Sequence, residues 1–126
     1  MADTASTYAT VTPYLVVPDG DRELTFLKAA FGATERSCER RGDGTIMHAE
    51  IAIGDSLLML GQAAEQWPAR AGAFYVWVPD VDAAYVQALQ AGATSESEPE
   101  DKPYGHRNAG VIDPSGITWW IGAPVR

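Results

Sequence analysis

The sequence predicts an α+β fold of two tandem βαβββ modules that form a curved, cup-shaped mixed sheet. Three repeats indicate it: 14–19 (YLVVPD) returns as 75–80 (YVWVPD), 32–34 (GAT) returns as 92–94, and 58–61 (LMLG) returns as 119–122 (WWIG). The offset is 60 or 61 residues each time, about half of the 126-residue chain. Repetition at one fixed spacing indicates two copies of a single supersecondary unit.

The first module is predicted over residues 9–61. Its β-branched start favours a strand, and Asp19 or Asp21 then provides an N-cap for a helix that Gly32 ends. A glycine-rich turn at 42–44 is typical of a hairpin. The predicted elements in order are a strand at 11–17, a helix ending at residue 31, strands at 34–41 and 45–53, and a last strand at 56–60.

The second module is predicted over residues 73–123, after a linker at 62–72. It repeats the same order, with a strand at 74–78, a helix at 81–91, and strands at 107–112 and 117–121. Its second strand is weak, because residues 94–99 (TSESEP) offer no apolar side chain for burial. The whole chain, 1–126, is therefore interpreted as one domain with an internal repeat.

The third predicted strand has two chemically different faces. Met47, Ala49, Ile51 and Ile53 alternate with residues that include His48 and Glu50. Because successive side chains of a strand point to opposite faces, the apolar set is expected to face the helix. His48 and Glu50 are then expected to face the cup, which makes them candidate catalytic or binding residues.

Composition and charge limit the partners. The chain is 46% hydrophobic with a formal net charge of −8, so we expect no binding to nucleic acid or to anionic membranes. No stretch is long and apolar enough to span a membrane, and residues 1–8 lack the regions of a signal peptide. We therefore expect a cytoplasmic protein. The single cysteine, Cys38, excludes an intrachain disulfide, and it is either a packing residue or a thiol activated by nearby arginines.

Several motifs carry a resemblance to a known family. They are the helix end Phe31-Gly32-Ala33, the strand His48-Ala49-Glu50, and the turn Asp113-Pro114-Ser115-Gly116 before Trp119-Trp120. With the paired modules, they resemble the vicinal oxygen chelate superfamily of glyoxalase I, extradiol dioxygenases, epimerases and bleomycin resistance proteins, and most closely its PhnB-like branch. The resemblance covers nearly all of residues 11–121.

The resemblance implies a divalent metal held by the first and last strands of each module. The corresponding positions here are Thr12, Met59, Ala73 (or Phe74, one residue further) and Trp120. None is a histidine or a carboxylate, and thioether, indole and methyl groups bind such ions poorly. We therefore expect no metal cofactor and no glyoxalase I or dioxygenase chemistry at these positions.

Two other uses of the polar residues remain open. His48 and Glu50, with His106, are the candidates for a relocated metal site, which would make the protein a metal-dependent lyase, isomerase or dioxygenase. Without a metal, His48 is the candidate general base and Glu50 its orienting partner. Whether the protein is an enzyme is therefore undecided by the sequence.

The preferred interpretation is a small-molecule-binding protein that sequesters an aromatic or cationic ligand, as the resemblance to antibiotic-resistance proteins implies. Strand parity directs aromatic side chains inward, where they stack on planar or cationic groups. The predicted ligand-binding residues are Tyr14, His48, Glu50, Met59, Tyr75, Trp77, Arg107 and Trp120. Trp67 is expected to cover the mouth of the cup and Trp119 to pack on the helix. An inward Arg107 would pair with Glu50 or with an anionic ligand group. The resemblance also implies a homodimer.

Overall fold

The computed structural model describes residues 8–125 and confirms the α+β fold of two tandem βαβββ modules with curved mixed sheets. The first module consists of β1 (Tyr14–Val17), α1 (Gly20–Phe31), β2 (Thr34–Arg40), β3 (Ile46–Ile53) and β4 (Ser56–Gln62). The second consists of β5 (Ala73–Trp77), α2 (Val81–Gln90), β6 (Thr94–Asp101), β7 (His106–Ile112) and β8 (Thr118–Pro124).

The two modules build equivalent four-stranded sheets. Their strand orders are β1-β4-β3-β2 and β5-β8-β7-β6, with the first and last strands of each module parallel and the other pairs antiparallel. In each module the helix connects the first strand to the opposite edge of the sheet. The internal repeat of the sequence is therefore also a repeat of topology and register.

Helix boundaries follow the predicted capping residues. The Asp19 side chain accepts a hydrogen bond from the Arg22 amide at 3.1 Å, and Asp80 accepts one from Ala83 at the same distance. Each carboxylate satisfies an amide that the first turn leaves unpaired. Helix α1 ends at Gly32, which adopts φ 67°, a left-handed conformation that favours glycine. Among the described residues, no helix is long and apolar enough to cross a bilayer.

The helices join the two modules. The side-chain amide of Gln87 on α2 donates to the carbonyl of Ala29 on α1 at 2.7 Å. The Phe31 ring at the end of α1 packs on Trp119 of β8, with ring centroids 5.1 Å apart. The helix-bearing sides of the sheets thus share one apolar core, and Trp119 is buried there as expected. The opposite face of each sheet, called its open face below, points away from this core.

A buried pair of acids also links the modules. Glu23 of α1 is fully buried and accepts a hydrogen bond from the Ser115 hydroxyl at 2.7 Å. Asp113, in the turn before β8, accepts from the amides of Ser115 and Ile117 and from Trp119 Nε1 at 2.8 to 3.0 Å. Burial, followed by the neighbouring Asp113, raises the pKa of Glu23 to about 9. Glu23 is therefore neutral at pH 7.

The prediction for Met47 is wrong. Pairing in the first sheet shifts between Glu39–His48 and Arg40–Ile46, so that Met47 is an extra residue in a β-bulge. Ile46 and Ala49 both face the core, while Met47 is 44% exposed. Strict alternation predicts Met47 on the core side, but the bulge interrupts it and alternation holds only from residue 48 onward.

Strand β6 forms without any apolar side chain for burial. It runs from Thr94 to Asp101 at the edge of the second sheet, and most of its side chains are exposed. Backbone hydrogen bonds to β7 hold it, with irregular register between Ser95 and Glu100. Exposed carboxylates are typical of an edge strand, because they prevent pairing with other chains. The lack of apolar residues in this segment of the sequence thus reflects the position of β6 at the edge of the sheet.

Candidate functional site

The open faces carry two equivalent tyrosines, each lying over a glycine. Tyr14 covers Gly61 in the first sheet, and Tyr75 covers Gly122 in the second. A Cβ atom at Gly122 would overlap the Tyr75 phenol, and one at Gly61 would lie 3.2 Å from the Tyr14 hydroxyl. Tyr75 follows Tyr14 by 61 residues, and Gly122 follows Gly61 by the same number. The repeat therefore extends from the backbone to the side chains of the site.

The partner of each tyrosine hydroxyl also occupies an equivalent position. His48 immediately precedes Ala49, which pairs with Leu60 in the first sheet. Asn108 immediately precedes Ala109, which occupies the equivalent position in the second sheet. The Tyr14 hydroxyl lies 3.4 Å from His48 Nδ1. Asn108 Nδ2 lies 3.4 Å from the Tyr75 hydroxyl. The two faces thus present the same scaffold with an imidazole in one and an amide in the other.

The open face of the first sheet forms a pocket of about 820 Å³. Its lining includes Tyr14, Met47, His48 and Trp67, and Trp67 is 66% exposed at the rim. Arg41 reaches the same pocket, with its guanidinium donating to the carbonyl of Gln62 at 2.9 Å. Sequence reasoning did not identify Arg41. The pocket is therefore a mixed apolar and cationic concavity.

Glu50 lies on this face without orienting His48. It pairs with Met59 on β4, and Met59 pairs with Tyr14 on β1, so that these three side chains form one row across the sheet. The Glu50 carboxylate lies close to Tyr8 instead. Burial raises the pKa of Tyr8, and the nearby Glu50 carboxylate raises that pKa further. The hydrogen bond of the His48 ring is made with Tyr14. His48 and Glu50 thus share a face but do not form a dyad.

The open face of the second sheet is aromatic. Trp77 is 57% exposed and Tyr104 is 63% exposed. Trp120 lies in the row of Tyr75 and covers Gly110, where an added Cβ would be 2.6 Å from the indole ring. Sequence reasoning missed Tyr104 and treated His106 only as a candidate metal ligand. The loop position of Tyr104 gave no parity signal.

Arg107 does not belong to the open face. Its guanidinium bonds to Asp82 at the start of α2 at 2.9 Å and to Asp101 of β6 at 3.1 Å. The predicted binding role of Arg107 required a side chain that points into the cup. This requirement is not met, and Glu50 is not the partner of Arg107. Its neighbour Asn108 points to the open face instead, as alternation requires.

The residues at the family's metal positions do not fit a divalent ion. Met59 and Trp120 occupy equivalent places beside Tyr14 and Tyr75, and Thr12 bonds through its hydroxyl to the carbonyl of Ala9. These side chains provide a thioether, an indole and a hydroxyl in place of imidazole and carboxylate. Within residues 8–125, no group of three or more His, Cys, Asp or Glu side chains is arranged to hold a metal ion.

A second cavity of about 630 Å³ lies between the modules, beside the edge strand β5. Phe31, Phe74 and Trp119 form part of its apolar wall, and their rings pack on one another. Tyr75 and Trp77 also line this cavity, so it reaches the edge of the second open face.

The fold and the paired open faces place the protein in a known superfamily. The family model of the Glyoxalase/Bleomycin resistance protein/Dioxygenase superfamily matches residues 7–121. The chain belongs to this superfamily. Uncharacterised proteins of Mycobacterium bovis and Mycobacterium tuberculosis are each 35% identical to it over 92% of its length, which corresponds to 84% and 75% of their own lengths.

Solved structures share the same architecture. TioX from Micromonospora sp. ML1 is 27% identical, with a TM-score of 0.79 over 93% of this chain and 99% of TioX. A glyoxalase/bleomycin resistance protein/dioxygenase from Nocardioides is 23% identical, with a TM-score of 0.68 over 94% of this chain and 85% of that one. At 23% identity the second similarity establishes the fold alone.

Proposed function

We propose that the protein binds a small aromatic or cationic molecule on its open faces without a resident metal, as a cytoplasmic sequestering protein of the PhnB-like branch. The observation that carries this proposal is the set of exposed aromatic rings held in place on both faces. The tyrosines are fixed over glycines, and fixed rings lose little conformational entropy when a ligand binds. Exposed aromatic surface of this kind is typical of binding sites.

Ligand binding is tested by tryptophan fluorescence, since Trp67, Trp77 and Trp120 lie on or beside the open faces. The titrants are planar aromatic compounds, neutral and cationic, and thermal shift gives a second readout. We expect saturable quenching and a higher Tm, because a ligand at about 100 times its Kd stabilises the folded state by about 2.7 kcal/mol. Absence of saturation and of a Tm shift across the panel would count against the proposal.

A matched pair of variants locates the ligand. Trp77→Leu removes an exposed ring from the second open face, whereas Val86→Ala removes exposed apolar surface from α2, away from both faces. Trp77→Leu is expected to weaken binding at least tenfold, and Val86→Ala to leave it unchanged. Equal losses in both variants would show that quenching reports non-specific contact.

Two copies are proposed to close the site. The open faces of one chain point away from the shared core, and each exposes large apolar side chains that a partner would cover. Strand β5 lies at the edge of its sheet and pairs, among the described residues, only with β8. Light scattering after size exclusion should give twice the 13.5 kDa chain mass. Trp77→Glu should dissociate the dimer, and Val86→Glu should not.

The rival function is a metal-dependent lyase, isomerase or dioxygenase with a relocated site at His48 and Glu50. Both side chains lie on the first open face, which is the observation that keeps this rival. Metal analysis of protein purified without chelator separates the two functions. We expect far less than one equivalent of metal. Stoichiometric zinc, nickel, manganese or iron that disappears in His48→Ala would favour the enzyme.

A further inference from the structure

The open face of the second sheet contains a compact cluster of four rings, the aromatic cluster, formed by Tyr75, Trp77, Tyr104 and His106. The Tyr75 and Trp77 rings are 4.7 Å apart between centroids. The His106 ring stands perpendicular to Trp77 at 4.8 Å and to Tyr104 at 5.3 Å. Rings from β5, from the loop before β7 and from the first residue of β7 thus pack together on one face.

The cluster is held from below by Asn108. This residue is only 3% exposed, and its Nδ2 lies 2.9 Å from the Tyr104 hydroxyl and 3.4 Å from the Tyr75 hydroxyl. Gly122 leaves room for the Tyr75 ring to lie flat on the sheet. The NH2 group of Asn108 faces both tyrosine hydroxyls, and its amide oxygen has no hydrogen-bond partner among residues 8–125.

The positive charges near the cluster are each paired and therefore do not oppose a cation. Lys102 is paired with Glu100 at 2.7 Å, and Arg107 is paired with Asp82 and Asp101 on the other side of the sheet. Both neighbouring positive charges are therefore balanced by carboxylates. The chain as a whole carries a formal net charge of −8, which attracts cationic ligands.

We propose that the aromatic cluster binds an alkylammonium group. This inference rests on the proposed function and commits it to one ligand chemistry. The faces of Trp and Tyr rings attract a cation, and several rings around one point bind a quaternary ammonium that cannot donate hydrogen bonds. A neutral group of equal shape gains only the apolar contact.

The experiment compares choline with 3,3-dimethylbutan-1-ol, which has the same shape but no charge. Both are titrated at pH 8 into the full chain, and the indole N–H signals of Trp77 and Trp67 are followed by NMR. We expect choline to bind at least tenfold more tightly than the alcohol, with shifts at Trp77. In Trp77→Leu, which has no Trp77 signal, choline should no longer raise the Tm, whereas Val86→Ala should retain the rise.

Three outcomes overturn the inference. Equal affinity for the two compounds means that the cluster recognises apolar shape, and the proposed binding function then survives. A choline response that persists in Trp77→Leu places the cation elsewhere. No response at Trp77 to either compound rejects the cluster as a site, whereas the proposed function is judged separately by the fluorescence titration with planar compounds.

Discussion

Glu23→Gln is expected to stabilise the protein at neutral pH. Glu23 is buried between the modules beside Asp113, and its pKa of about 9 means that the folded protein keeps a proton that the unfolded chain releases. Glutamine keeps the size of the side chain and is neutral without a proton. It also retains an oxygen that accepts from the Ser115 hydroxyl, and its NH2 group can donate to Asp113 in place of the protonated carboxyl group.

The magnitude follows from the two pKa values. Glu23 titrates near 4.5 when unfolded and near 9 when folded, so its contribution to stability is complete below pH 4.5 and is lost as the pH rises through 9. Each unit corresponds to about 1.4 kcal/mol, which gives a cost of about 3 kcal/mol at pH 7. The glutamine variant should recover most of this cost.

The assay is urea unfolding of both proteins between pH 5 and pH 10, followed by tryptophan fluorescence. The difference in unfolding free energy reports Glu23 together with its neighbour Asp113, because the more distant groups titrate alike in both proteins. It should grow by about 1.4 kcal/mol per pH unit up to pH 9 and then level off. Parallel curves between pH 5 and pH 9, whatever their offset, would show that Glu23 is ionised in the fold.

Three other predictions concern the site, the helix caps and metal. Gly122→Ala should displace the Tyr75 ring and weaken ligand binding, measured by fluorescence titration; unchanged affinity would mean that this ring does not contact the ligand. Asp19→Ala and Asp80→Ala should each lower the unfolding free energy by about 1 kcal/mol, measured in urea, because each removes an equivalent N-cap; no loss in either would contradict the capping role. Treatment with EDTA should leave Tm unchanged by calorimetry, since the residues at the family's metal positions are poor ligands; a lower Tm would reveal a bound ion.

The fold was predictable because its signals are local and repeated. Asp19 and Asp80 follow the same Val-Pro dipeptide, and both cap a helix. Gly32 stops α1 by its left-handed conformation, which few other residues adopt easily. Each of these features depends on residues within a few positions of one another, and repetition of the pattern confirmed the period.

The site was only partly predictable, because strand parity fails at irregularities. A bulge moves Met47 to the pocket, and Tyr104 reaches the aromatic cluster from a loop. Asn108 had a usable signal, since it occupies the position of His48 in the repeat. The contact between Glu23 and Asp113 joins residues 90 positions apart, and no periodicity links them.

The duplicated tyrosine–glycine pairs give the two open faces the same support for different side chains. The first open face carries an imidazole and a carboxylate at His48 and Glu50, whereas the matching places on the second open face hold Asn108 and Gly110. A ligand that contacts one open face of each kind would meet different chemical groups at its two ends. Such a ligand would therefore bind in a single orientation, although the two halves share one topology.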